Sequence, residues 1–363
     1  MSEDGKPRTQ QRVLDLDLAR GIAVALMILS HGIKGLVGFD QFPEWGLVPI
    51  HLITKFSSTL FFIVFGASLA VAFLPYVGTS DWPRKRKKLI IRGLKIFFWY
   101  KILTIVEMFH LYSREDILQT LTYNAFTVYV EILGFYSIAL LWIPFTLSIW
   151  RSLPLFVQML LPFGLMILSN LIYSNFSFWG IEGLQALLVE HENHYTWGQL
   201  ARSPLIFLGL LIGKLTFQPD QKAVERKAAI LDIALSSAVF FTGFLIMSYG
   251  HLYQVLHEIA LNEGKHPPEA RFMLFSMGGA MFILSLTFWG GEKLALVLKP
   301  ITIIGKDSLH AFIFHIFMIF IVYRYLFNLW HQISYYQALF LTLVLLALTP
   351  LWIRIKNWIL KES

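Results

Sequence analysis

Apolar stretches of membrane-crossing length recur from one end of this chain to the other, with no hydrophilic block between them longer than about 25 residues. Water is absent from the bilayer core, so every backbone polar group there must be satisfied internally. Runs of roughly 20 apolar residues meet that demand as helices. Composition agrees, because 56% hydrophobic and only 15% charged residues, with a mean hydropathy of +0.61, exceed what a soluble domain of 363 residues carries. The expected fold is all-α: a polytopic transmembrane helical bundle of about ten helices, one integral-membrane domain over residues 1–363, with a short polar tail at 1–12.

Hydropathy predicts spans at 16–38, 52–74, 89–112, 128–149, 154–174, 200–217, 228–250, 271–290, 303–328 and 336–358. An even count places both termini on one side, and the positive-inside rule makes that side cytoplasmic. Lys6, Arg8 and Arg12, the run Arg84 to Lys88, Arg151, Lys214, Lys222, Arg226, Lys227, Lys293, Lys299, Arg354, Lys356 and Lys361 fall on the terminal side. The opposite loops carry Asp40, Glu44, Glu115, Asp116, Glu182, Glu190, Glu192, Glu258, Glu263 and Glu269. Residues 117–149 are too long for one span and too short for two, so a re-entrant or interfacial helix is expected to open that stretch. The first apolar run continues into His31 and Lys34 without a small-residue cleavage site, which predicts a retained helix rather than a signal peptide.

These features exclude several functions. Cysteine is absent, which removes disulfides, thiolate metal sites and a cysteine nucleophile. The net charge of +7 is spent on membrane orientation between apolar spans, so nucleic acid is not an expected partner; the lipid bilayer is. No Gly-rich phosphate loop, zincin motif or serine elbow is present.

Ionisable groups inside hydrocarbon cost about 2.5 to 3.5 kcal/mol each on insertion scales, so each needs a partner or a task. The first span holds Asp17, Arg20 and His31. Eleven residues at about 100° each return to nearly the same face, so Arg20 and His31 share a stripe about 16 Å apart along the axis, with Asp17 one turn before Arg20. One account is a ligand entering from the cytoplasm with an anionic head on Arg20 and its reactive end at an imidazole deep in the span. The other is an Asp17–Arg20 boundary ion pair and a His31 hydrogen-bonded to a neighbouring helix.

The opening Asp17-Leu-Ala-Arg20-Gly-Ile-Ala, with ten residues between Arg20 and His31, resembles the first-helix signature of the acyltransferase-3 family and its heparan-α-glucosaminide N-acetyltransferase-like relatives. The aromatic-rich run 56–69, ending Gly-Ala-Ser-Leu, is similar to the family's second helix. His266-Pro267-Pro268 looks like an element of some heparan-acetyltransferase-like members, and Gly305-Lys306-Asp307-Ser308-Leu309 followed by His315 looks like a late family stretch. The resemblance implies an acyl-CoA-dependent O- or N-acyltransferase that moves an acyl group, acetyl in the usual case, from acetyl-CoA to a hydroxyl or amine of a glycan or glycolipid. It carries the catalytic histidine onto His31 as general base. Arg20, Asp17, Lys306, Ser308 and His315 become expected substrate- or cofactor-binding residues, no metal is expected, and the setting implied is the cell envelope at a bacterial inner membrane, with polysaccharide modification as the task. No soluble acyl-transfer domain is fused at the carboxyl end, so any acyl intermediate is expected to be handled within the membrane domain.

Other polar residues have plainer expectations. His310 and His315 point about 140° apart and make no two-ligand metal face. Glu107 and His110, three apart on the third span, are expected to pair. Glu131 is a buried carboxylate that needs a partner or a proton-handling role. The outer loop between Trp179 and Trp197, with His191 and His194, offers aromatic surface to a carbohydrate or anchors at the interface. A competing function is a transporter or exporter of a lipid or small anion using the same charges as a pathway, although no internal repeat is visible.

Overall fold

A computed structural model describes residues 13–217 and 222–362, and among these there are fourteen α-helices and no strand. The tail at 1–12, with Lys6, Arg8 and Arg12, lies outside the described residues. In chain order the helices are α1 (Leu14–Lys34), α2 (Phe56–Ala72), α3 (Trp82–Met108), α4 (Arg114–Leu121), α5 (Glu131–Ser152), α6 (Leu155–Asn175) and α7 (Glu182–Val189). They continue with α8 (Gln199–Thr216), α9 (Ala223–Met247), α10 (Leu252–Ala260), α11 (Ala270–Val297), α12 (Lys299–Lys306), α13 (Ser308–Phe317) and α14 (Tyr335–Glu362). The chain is an all-α polytopic membrane bundle.

All ten expected spans fall on helices, and eight segments are long and apolar enough to cross a membrane. The other two are α3 and α8. Arg84 to Lys88, Arg92, Lys95 and Lys101 make α3 too polar, and Arg202 and Lys214 do the same to the shorter α8. The uncertain stretch after α3 resolves into the short α4, an irregular segment at 122–130, and α5 beginning at Glu131.

The middle of the bundle is α1 and α2. Inside the protein lie 72% of the α2 window and 61% of that of α1, against 17% for α6 and α9, whose apolar faces are left to lipid. Lipid tails are as apolar as leucine, so helices associate through close packing rather than through exclusion of water. The α2–α8 contact depends on small residues: a Cβ at Gly66 would stand 2.0 Å from the Ile206 carbonyl oxygen, and one at Gly209 2.0 Å from that of Ile63. The same device joins α1 to α12, where a Cβ at Gly305 would stand 1.8 Å from the Asp17 carbonyl oxygen. Helices α13 and α14 complete the ring around α1, and they bring His315 to it.

Candidate active site

His31 stands in the last turn of α1, nearer the helix end than the mid-span depth expected from sequence. Its Nδ1 lies 3.2 Å from Nε2 of His315 on α13. Protonation follows from the partners. His315 Nδ1 is 3.0 Å from the carbonyl oxygen of Ala311, and a carbonyl only accepts, so this nitrogen carries the proton. In neutral His315 the Nε2 is therefore a lone pair, and His31 donates to it from Nδ1. Neutral His31 is left with an unprotonated Nε2. The rings of Tyr129 and Phe312 stand edge-on to His31 at 5.3 and 6.2 Å and fix its plane.

Tyr129 comes from the irregular segment before α5. Its hydroxyl donates to the Lys34 carbonyl at 2.8 Å, and the segment is held by Glu107, whose carboxylate accepts the backbone N–H groups of Val128 at 2.9 Å and Tyr129 at 3.2 Å. Glu107 thus does not pair with His110, which instead packs on Tyr325 at 5.2 Å. Backbone amides in irregular structure have no ladder to join, and a buried carboxylate satisfies two of them at once. Glu131 behaves similarly, accepting from the Tyr100 hydroxyl at 2.9 Å and the Thr127 hydroxyl at 3.0 Å.

The dyad faces a narrow chamber of about 30 Å³ lined by His31, Lys34, Lys55, Tyr129, Trp197 and Lys265, among others. Lys34, Tyr129, Tyr195 and Asn262 also line an adjoining vestibule of about 400 Å³, which reaches His266 and Trp330. This opening lies at the end of α1 opposite Leu14. Lys55 Nζ donates to Asn262 Oδ1 at 2.6 Å, and Lys265 Nζ to the Tyr195 hydroxyl at 2.5 Å. Sequence reasoning missed all three lysines.

The vestibule wall is braced by a buried cluster. Arg202 on α8 donates to Glu190 through Nε at 2.5 Å and Nη2 at 3.2 Å, and to the Lys265 carbonyl at 2.6 Å, while His266 Nδ1 lies 3.0 Å from Glu190. Burial pushes the Glu190 carboxyl up, but Arg202 and then His266 outweigh it and hold the group below its ordinary value. Burial brings His266 down to about 4, against the pull of Glu190, so its ring is neutral with the proton on Nδ1. The expected His-Pro-Pro element therefore fastens the loop after α10 to α8.

The other expected residues gather at the opposite end of α1. Arg20 Nη1 donates to Asp17 Oδ1 and to the Gly305 carbonyl, each at 3.2 Å, and Nη2 donates to Ser68 Oγ at 2.5 Å. Gly305 is needed there because only a residue without a Cβ brings its backbone within reach of α1. Lys306 lines a shallow hollow with Asp307, Arg354 and Trp358. Ser308 opens α13, seven residues and about 10 Å of helix rise from His315. The structure thus unites His31 with His315 and Arg20 with Asp17, but not Lys306 or Ser308 with the dyad.

Glu182 at the start of α7, with His191 and His194 in the segment that follows it, each bring one ligand atom within 4.8 Å of the others. They stand apart from the dyad.

The model of an acyltransferase domain, that of the acyltransferase-3 family, matches residues 13–353. The chain belongs to this family. It is accordingly a membrane acyltransferase, and the match runs through both α1 and α13, the two helices that carry the dyad. The comparison with curated proteins gives no match.

Proposed function

We propose that this acyltransferase moves an acyl group, acetyl in the simplest case, from acyl-CoA to a hydroxyl or amine of a glycan or glycolipid, with His31 as general base. The observation that carries the reading is the direction of the hydrogen bonds from Ala311 through His315 to His31, which leaves His31 Nε2 as a lone pair. That nitrogen takes the acceptor proton while the acceptor oxygen or nitrogen bonds to the thioester carbonyl carbon. When the tetrahedral intermediate collapses, the carbon–sulfur bond breaks and the proton passes from Nε2 to the leaving thiolate. His315 keeps the imidazole oriented and accepts from Nδ1 throughout.

With both termini at the cytoplasmic face of a bacterial inner membrane, the vestibule opens to the outside, where envelope glycans lie. The Asp17–Arg20 end of α1 then faces the cytoplasm. The aromatic walls Tyr129, Tyr195 and Trp197 suit the flat apolar faces of a sugar ring.

The test is transfer of labelled acetyl from acetyl-CoA to cell-envelope glycan by the purified protein in lipid. His31→Ala at matched folding is expected to lose about 10²- to 10⁴-fold of the rate, the usual contribution of a positioned base. Transfer that survives the substitution would remove His31 from the chemistry.

A further inference from the structure

Three lysine side chains converge on the chamber in front of His31, and among the described residues none of them makes a salt bridge to a carboxylate. Lys34 ends α1, Lys55 precedes α2 and Lys265 lies in the loop before α11, so three distant parts of the chain supply them. Their direct side-chain contacts are neutral, the Asn262 amide for Lys55, the Tyr195 hydroxyl for Lys265 and the Tyr129 ring, 5.9 Å from the Lys34 nitrogen, and Glu190, the carboxylate whose charge reaches Lys265, is already bonded to Arg202 and His266. Lys55 is only 3% exposed. No aspartate or glutamate lines the chamber or the vestibule.

Elsewhere four cations have carboxylates, Arg20 with Asp17, Arg202 with Glu190, Arg226 with Asp15 and Lys356 with Asp307, while Lys101, Lys214 and Arg324 stand singly on neutral oxygens; among the described residues, only at this chamber do three such lysines gather. A buried lysine carries its proton at least cost when a negative group stands beside it, so three of them gathered in one cavity are built to receive an anion from outside. A second observation lies in the vestibule wall. His266 Nε2 is buried without a hydrogen-bond partner, while Nδ1 is engaged by Glu190. That arrangement presents an acceptor to a hydroxyl.

We propose that the molecule reacting at His31 carries a phosphate or carboxylate, held in the chamber by Lys34, Lys55 and Lys265, with an adjacent hydroxyl donating to His266 Nε2. The proposal rests on the acyl-transfer reading of the same chamber and names its substrate class as anionic. The anion has two sources, the phosphates of the acyl-CoA donor or an acidic group on the sugar acceptor.

The experiment measures binding of coenzyme A, glucose 1-phosphate, glucuronate and neutral glucose to the full chain in nanodiscs by calorimetry. At least one anionic probe is expected to bind, with glucose at least about tenfold weaker, and Lys55→Met and Lys265→Met are each expected to weaken the anion about tenfold, the loss of one charged hydrogen bond. Lys265→Arg should restore most of it. Binding of coenzyme A alone assigns the anion to the donor, and binding of either sugar acid assigns it to the acceptor. His31→Gln separates this proposal from the catalytic one: it should abolish transfer and leave anion affinity within about twofold, since no charge is removed. Lys34→Met, at the half-buried neck, carries the test if a more buried replacement fails to fold. The proposal falls if no anionic probe binds the wild type, if glucose binds as tightly as the anions, or if well-folded lysine variants retain wild-type affinity.

Discussion

The two ends of α1 carry similar numbers of charges and use them in opposite ways. At the Leu14 end, Arg20 bonds to Asp17 and the Gly305 carbonyl, and Asp307 bonds to His310 and Lys356. At the Lys34 end, lysines meet amide, phenol and ring, and one imidazole nitrogen faces a cavity. Charge in a membrane protein is costly in either place. At the Leu14 end the chain itself supplies the counter-charge and the groups fasten helices; at the chamber it does not, and the gathered lysines are left to act on something that arrives. The shared stripe of Arg20 and His31 therefore joins a clamp to a reaction centre.

The sharpest way to break this contrast is at His315, which touches no part of the paired end. His315→Leu removes the acceptor that sets the His31 tautomer and is expected to lower the transfer rate about a hundredfold, about 2.7 kcal/mol, comparable to a buried hydrogen bond lost with its partner left unpaired. His315→Gln retains an acceptor oxygen and should recover about tenfold of that loss. Because His315 positions the base, the substitution should also move the pH profile of the rate without changing the affinity for acyl-CoA. A rate within twofold of wild type for His315→Leu would show that the tautomer is set some other way.

The contrast also explains what the sequence made legible. Helix positions followed from apolar length, because hydrocarbon permits few alternatives, and the Asp17–Arg20 pair followed from three-residue spacing on one helix. His31 stood out as an imidazole in an apolar run. His315 was visible as a motif residue, but its approach to His31 joins helices nearly 300 residues apart, a relation that no local periodicity encodes. Glu107 was assigned to His110 by the same spacing rule that served Asp17, and failed because unladdered backbone amides at 128–129 compete more strongly for a buried carboxylate. The lysines had a signal that went unused. Lys34, Lys55 and Lys265 flank loops of the acidic side, where the positive-inside rule expects few basic residues, and such exceptions mark cations retained for a purpose other than orientation.

A smaller effect separates clamp from ligand site at Arg20. The guanidinium bonds to α1, α2 and α12, so Arg20→Met is expected to lower stability by about 2 kcal/mol, read as an earlier thermal transition in detergent. The KM for acyl-CoA should stay within about twofold in the folded fraction, as no charged hydrogen bond to the donor is lost. A large rise in KM at unchanged stability would move Arg20 from the paired end to the substrate, and with it the donor's phosphates.

The smallest expected effect tests whether the paired end behaves as a closed electrostatic unit. Burial pushes the Asp307 carboxyl up, but hydrogen bonds from His310 and Lys356, and then their charges, outweigh it and hold the group at about 2. A depressed carboxyl contributes stability that is complete above its unfolded value, near 4, and is lost as pH falls from there through about 2. Water reaches His310, which screens the interaction, so Asp307→Asn should cost only about 1 kcal/mol at neutral pH. The gap between wild type and variant should narrow as pH is lowered from 4 toward 2, followed by denaturant titration at each pH. Acetyl transfer at neutral pH should stay within twofold in both proteins, because the dyad lies at the other end of the helix. A gap that persists unchanged to the lowest pH would mean that Asp307 stabilises the bundle through packing rather than charge, and the two ends of α1 would differ in geometry alone.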